Sequence, residues 1–128
     1  MDELYRDYIL EHYKEPHNFG ELEKSDMEAH DVNPLCGDEL GIHLKVDKNG
    51  IITDLAFQGK GCAISQAAAS IASDELIGMS IDEAQKLDAN WMVDLLGIDV
   101  SATRRKCALL NLKVLRGAVT GDASWPDE

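Results

Sequence analysis

Four side chains in this sequence have the type and setting to hold a soft metal or to attack an electrophile: Cys36, Asp38, Cys62 and Cys107. Cys62 lies in Gly59-Lys60-Gly61-Cys62-Ala63-Ile64-Ser65, where an alternating apolar stretch stops, turns on two glycines and becomes a helix. The free N–H groups and positive dipole end of a starting helix favour a thiolate, and Lys60 adds a nearby positive charge. Cys36 lies in Asn33-Pro34-Leu35-Cys36-Gly37-Asp38, where Gly37 permits a sharp turn that points Cys36 and Asp38 at one metal. Cys107 follows Arg104-Arg105-Lys106, the densest positive cluster in an acidic chain, and Lys106 is placed to pair with a bound thiolate or with Asp38. Three thiolates and one carboxylate suffice for one tetrahedral site. Zinc accepts such a mixed set, and an iron–sulfur cluster needs four protein ligands of the same general kind. A carboxylate binds a soft metal less firmly than a fourth thiolate would, which suits a site that releases its cargo.

Each of these residues also has a plainer reading. Free cysteine is among the most buried residue types, so a single one carries little weight. Three of them, each beside a glycine turn, a helix start or a basic run, carry far more. The basic triplet reads equally well as a solvated helix face. His30 and His43 are possible ligands, but lone histidines on strands are more often structural or exposed. His12 and His17 flank the end of the first helix and are assigned no role.

The elements that must position these residues follow from periodicity. From Asp2 to Lys14 the spacing of Leu4, Tyr5, Tyr8, Ile9 and Tyr13 is helical, and Glu15-Pro16 ends it. Pro16 to Lys24 reads as an ordered loop in which Phe19 anchors the first helix to the body. A short strand fits Ala29 to Val32, and Asn33-Pro34 bends the chain before Cys36. Leu40 to Val46 alternates, Asp47-Lys48-Asn49-Gly50 is a hairpin turn, and Ile51 to Phe57 returns as the partner strand. Antiparallel pairing then brings the Cys36 and Asp38 end of the hairpin beside Cys62.

Ala63 to Ile77 follows as an Ala/Ser-rich helix with Ile64, Ala68, Ile71, Ala72, Glu75 and Leu76 tracing a narrow apolar face, ended by Gly78. Ser80-Ile81-Asp82-Glu83 has capping-box spacing, giving a short helix to about Leu87. Asn90 is the expected cap of another, Trp91 to Leu96, ended by Gly97. Ser101 or Thr103 starts the last long helix, with Cys107, Leu110 and Val114 on one stripe, reaching about Gly117. One domain over 1–119 and an acidic, mobile tail over 120–128 are expected, with no internal repeat or linker.

The 128 residues are enough for one domain with a core. Net charge is −12, from 24 acidic against 12 basic residues, which speaks against a phosphate-tracking nucleic-acid surface. No apolar run approaches a membrane span, and Met1-Asp2-Glu3 is unlike a signal peptide, so no membrane role and a cytoplasmic location are expected. Three widely spaced cysteines do not resemble a secreted disulfide framework, and reduced thiols are the simpler reading.

The run from Tyr8 to Gly20, then Asn33-Pro34-Leu35-Cys36-Gly37-Asp38, then Gly59 to Ser65, then Arg105-Lys106-Cys107-Ala108-Leu109-Leu110, resembles the IscU/SufU-type iron–sulfur cluster scaffold family up to about Gly117. The resemblance implies an α+β fold, a small three-stranded antiparallel sheet packed on one face by several helices. It implies that Cys36, Cys62 and Cys107, with Asp38 assisting or ligating, hold a transient [2Fe–2S] cluster or a zinc ion, with Lys60 and Lys106 in support. It also implies a pyridoxal-phosphate cysteine desulfurase as sulfur donor and iron–sulfur proteins as acceptors. By this analogy Cys107 takes the persulfide in a scaffold mechanism and Cys36 in a transfer mechanism.

Two departures separate this chain from the family's branches. Where the IscU branch has a histidine before the third cysteine and a chaperone-recruiting Leu-Pro-Pro-Val-Lys segment, this chain has Lys106 and Gly97-Ile98-Asp99-Val100-Ser101-Ala102. The resemblance therefore gives no expectation of a dedicated chaperone. Lys106 is similar to the SufU branch, yet that branch's insertion between the second and third cysteines is missing. A scaffold is the leading expectation, a zinc-dependent sulfurtransferase the alternative, and a purely structural zinc domain the weakest.

Overall fold

Apolar and polar residues alternating with period two produce three strands, β1 (Met27–Asn33), β2 (Asp38–Val46) and β3 (Ile52–Lys60). The computed structural model describes residues 3–34, 37–122 and 124–126, and in it the strands pair antiparallel in the order β1-β2-β3. The register sets Ile42 opposite Phe57 and Leu44 opposite Leu55, so these side chains share one face with Leu40, and all five are buried. Each contributes on the order of 1.5–3 kcal/mol by leaving water.

Five helices accompany the sheet: α1 (Glu3–Lys14), α2 (Ala63–Leu76), α3 (Ile81–Ala84), α4 (Ala89–Leu96) and α5 (Ala102–Thr120). α5 lies on β1 and β2, α2 lies on β3, and α1 and α4 pack on α2. The architecture is the α+β arrangement expected, with helices on one face of a three-stranded antiparallel sheet. Among the described residues no helix is long and apolar enough to cross a membrane.

Four local expectations need correction. The face of α2 is not narrow: every residue from Ser65 to Ser73 is buried, because α1, α4, α5 and β3 surround the helix, while Glu75 is exposed. Its alanines and serines are small enough for neighbours to approach from all sides. Ser80 caps as expected, accepting the Glu83 N–H at 3.1 Å, but α3 stops at Ala84 rather than Leu87. Asp88, not Asn90, caps α4, accepting the Trp91 N–H at 2.9 Å, and the helix starts at Ala89. α5 runs through Gly117 to Thr120, because the left-handed residue that ends it is Gly121 at φ +80°.

The loop after α1 anchors as expected. The Asn18 carbonyl accepts the Phe57 N–H at 2.9 Å and the Phe57 carbonyl accepts the Gly20 N–H at 2.8 Å, which adds a short parallel pairing to β3. The Phe19 ring stands edge-on to Phe57, with centroids 5.3 Å apart. His12 is buried against α2 beside Ser70; that burial, and next the neighbouring His17, hold its pKa below the ordinary imidazole value. Beyond α5, Pro126 is buried, and the Lys106 and Lys113 ammonium groups lie 5.2 and 5.3 Å from the Trp125 ring centroid.

Candidate metal centre

The β2–β3 hairpin and two helix starts bring three of the four singled-out side chains together. Asp38 opens β2, Cys62 is the N-cap residue of α2, and Cys107 lies in the second turn of α5. One ligand atom from each lies within 4.8 Å of the others. Asp38 and Cys107 are buried and Cys62 is partly exposed. Cys36 lies outside the described residues. Between β1 and β2, Gly37 adopts φ +75° and donates its N–H to the Asn33 carbonyl at 2.8 Å.

The hydrogen bonding orients the Asp38 carboxylate. Its Oδ1 accepts the Cys62 backbone N–H at 2.9 Å, and its Oδ2 lies 3.8 Å from Cys62 Sγ. The Cys62 side chain makes no capping hydrogen bond to the helix it precedes, so the capping role does not occupy the thiol. Gly61 makes the close approach possible: a Cβ there would sit 2.1 Å from Asp38 Oδ1. Gly59 is needed for the same reason at the end of β3, since a Cβ there would sit 2.4 Å from the Glu39 carbonyl oxygen.

Donor chemistry and spacing both fit a metal. Bonds of about 2.3 Å to sulfur and 2.1 Å to oxygen at tetrahedral angles set the two donors about 3.6 Å apart. The observed 3.8 Å between Cys62 Sγ and Asp38 Oδ2 is within a few tenths of that. Two further expected contributors direct their charges elsewhere. Lys60 lies 3.4 Å from Glu39 Oε2 across the β2–β3 pair, and Lys106 lies over Trp125. His43 accepts the Leu22 N–H at 3.2 Å, a structural role, and His30 is exposed on β1.

The sequence reading passed over one cluster. His12, His17 and Asp74 also offer ligand atoms within 4.8 Å of one another. No local pattern reveals it, because Asp74 lies on α2, far along the chain from the two histidines.

The chain matches the family described as NifU-like N terminal domain over residues 4–122. It is 34% identical to the zinc-dependent sulfurtransferase SufU of Bacillus subtilis, covering 93% of this chain and 91% of that one. That alignment runs over 139 positions although this chain has 128 residues, so the relative carries residues without a counterpart here. It is also 34% identical to the iron–sulfur cluster assembly scaffold protein IscU 1 of Archaeoglobus fulgidus, covering 91% of this chain and 74% of that one. Among solved structures, the putative iron–sulfur cluster assembly scaffold protein for the SUF system from Fervidobacterium islandicum superposes with a TM-score of 0.72 at 26% identity, covering 89% of this chain and 95% of that one. With the family matched over nearly its whole length, the chain belongs to the family of the NifU-like N terminal domain.

Proposed function

We propose that this protein is an assembly platform for iron–sulfur clusters, holding a [2Fe–2S] cluster as cargo on Cys36, Asp38, Cys62 and Cys107 and passing it to acceptor proteins. The observation that carries the reading is the convergence of Asp38, Cys62 and Cys107 from three different elements on one point. Cys36 is two residues from Asp38 in sequence, a reach of at most about 7 Å between Cα atoms. Asp38 is the weak member of the set: a hard oxygen among soft sulfurs is the first ligand an acceptor can displace.

Sulfur reaches the site from a cysteine desulfurase. A thiolate of this chain attacks the terminal sulfur of the donor's persulfide, the donor's S–S bond breaks, and the donor cysteine leaves as thiolate. Conversion of that sulfur to sulfide takes two electrons from an external reductant. Cys36 and Cys107 are the candidate acceptors. Cys107 is buried, so direct transfer to it requires the residues that cover it to move aside.

The second reading is a zinc-dependent sulfurtransferase, in which zinc holds the thiolates until a partner displaces one. Lys106 before the third cysteine favours it, as does the similarity to the Bacillus subtilis protein. Anaerobic incubation with a desulfurase, cysteine, ferrous iron and a reduced ferredoxin as electron source separates the two. The scaffold reading expects visible cluster absorption with acid-labile sulfide equal to the iron that a ferrous chelator does not remove, lost in Cys62→Ser, and a slower cluster release in Asp38→Ala. Retained zinc, a persulfide on one cysteine and no cluster would establish the carrier reading instead.

A further inference from the structure

The residues that close α1 onto α2 form a second set of donors, apart from the thiolates. His12 is buried near the end of α1, His17 follows in the loop, and Asp74 lies in the last turn of α2. Cys62 caps the start of α2 and Asp74 comes twelve residues later, so the two sets stand about 18 Å apart along the helix axis.

Two of the donors are already oriented by outer partners. Ser70 Oγ lies 2.6 Å from His12 Nδ1 and also accepts the His17 backbone N–H at 2.8 Å. That leaves His12 Nε2 without a hydrogen bond among the described residues. Asn18 Nδ2 donates to Asp74 Oδ1 at 3.0 Å and to Ser73 Oγ at 2.8 Å. The other carboxylate oxygen, Oδ2, is turned to His17, whose Nδ1 lies 2.6 Å away. Imidazole and carboxylate ligands of metals use such outer hydrogen bonds to fix tautomer and orientation.

We propose that His12, His17 and Asp74 bind one divalent ion of the borderline class, such as zinc, cobalt or ferrous iron, at the end of α2 remote from the thiolates. Two imidazoles and a carboxylate suit these ions. In the hydrogen-bonded pair of His17 and Asp74 the two atoms are closer than two ligands of one metal. Bonds of about 2.1 Å at tetrahedral angles put nitrogen and oxygen about 3.4 Å apart, so the pair opens by less than about 1 Å as the ion takes the place of the shared proton. The His17 and Asp74 side chains are 53% and 46% exposed, which leaves room for that movement and for water in the remaining position. If the pair only fastens the loop to α2, no metal binds there.

Cobalt(II) titration of the full chain, by equilibrium dialysis with absorption read in parallel, tests the proposal. Thiolate ligands give near-ultraviolet charge-transfer bands with cobalt and imidazole or carboxylate ligands do not, so the two sites are read separately. Two equivalents should bind, only one of them adding charge-transfer absorbance. His17→Ala and Asp74→Asn should lose the silent equivalent while keeping the band, and Ser70→Ala should weaken it by about 10–100-fold. A single equivalent in the parent chain, or two in both His17→Ala and Asp74→Asn, would overturn the proposal. Loss of the band in Cys62→Ser with the silent equivalent intact would support two independent sites.

Discussion

At Gly61 the backbone takes φ +148°, and the space a side chain would need is filled by the Asp38 carboxylate. Alanine there would have to displace that carboxylate, which accepts the Cys62 N–H, and would hold a backbone conformation that costs an L-residue on the order of 1–3 kcal/mol. Gly61→Ala is therefore expected to weaken zinc affinity by about 10-fold or more, since the group it moves orients the donors. Competition with a chromogenic chelator checks this, and an unchanged affinity in a folded variant would contradict it. That Asp38 and Cys62 come together was legible in the sequence because glycines and a helix start mark them locally, and Cys107 is marked by the basic run before it. The engagement of Lys60 by Glu39 was not, since it depends on which face of β3 Lys60 occupies, and the expected strand end at Phe57 lay three residues short of it.

Among the elements, α2 decides how the site and the core are joined, because it carries Cys62 at its start and is enclosed along most of its length. Ala67, Ala68 and Ala72 are fully buried, so their small size sets the distance between α2 and its neighbours. Ala68→Leu inserts volume where none is free and should cost about 1–3 kcal/mol. A urea unfolding midpoint equal to that of the parent chain would count against the enclosure described. The hairpin was readable because Asp47-Lys48-Asn49-Gly50 separates two alternating runs, and the structure keeps that turn with the Gly50 N–H donating to the Asp47 carbonyl at 3.0 Å. The burial of α2 was not readable: alanine and serine give little contrast between an inward and an outward face. The start of α4 was misplaced for another reason, in that Asp88 and Asn90 are both good caps and only the fold chooses between them.

For the molecule as a whole, the site depends on α5 staying fixed on the sheet, since Cys107 comes from α5 and Asp38 from β2. Lys113 and Asp31 form an ion pair between α5 and β1. Burial pushes the Asp31 carboxyl up, but the hydrogen bond from Lys113, the Val32 N–H, and the charges of Lys113 and His30 outweigh it and hold the group below its ordinary range. The folded pKa is thus the lower one, and the stabilisation is fully present above about pH 4 and lost as pH falls through the folded value. Asp31→Asn should cost about 1–2 kcal/mol at pH 7 and flatten the acid limb of the stability curve. Equal stability of the two proteins at pH 7 with superimposable acid limbs would contradict this.

The central claim is that Cys36, Asp38, Cys62 and Cys107 form one donor set, and zinc-edge X-ray absorption on the full chain loaded with one equivalent of zinc tests it most directly. The expected first shell is three sulfurs at about 2.3 Å and one oxygen at about 2.0–2.2 Å, falling to two sulfurs in Cys107→Ser. A shell of nitrogen and oxygen alone, or an unchanged sulfur count in that variant, would contradict the account.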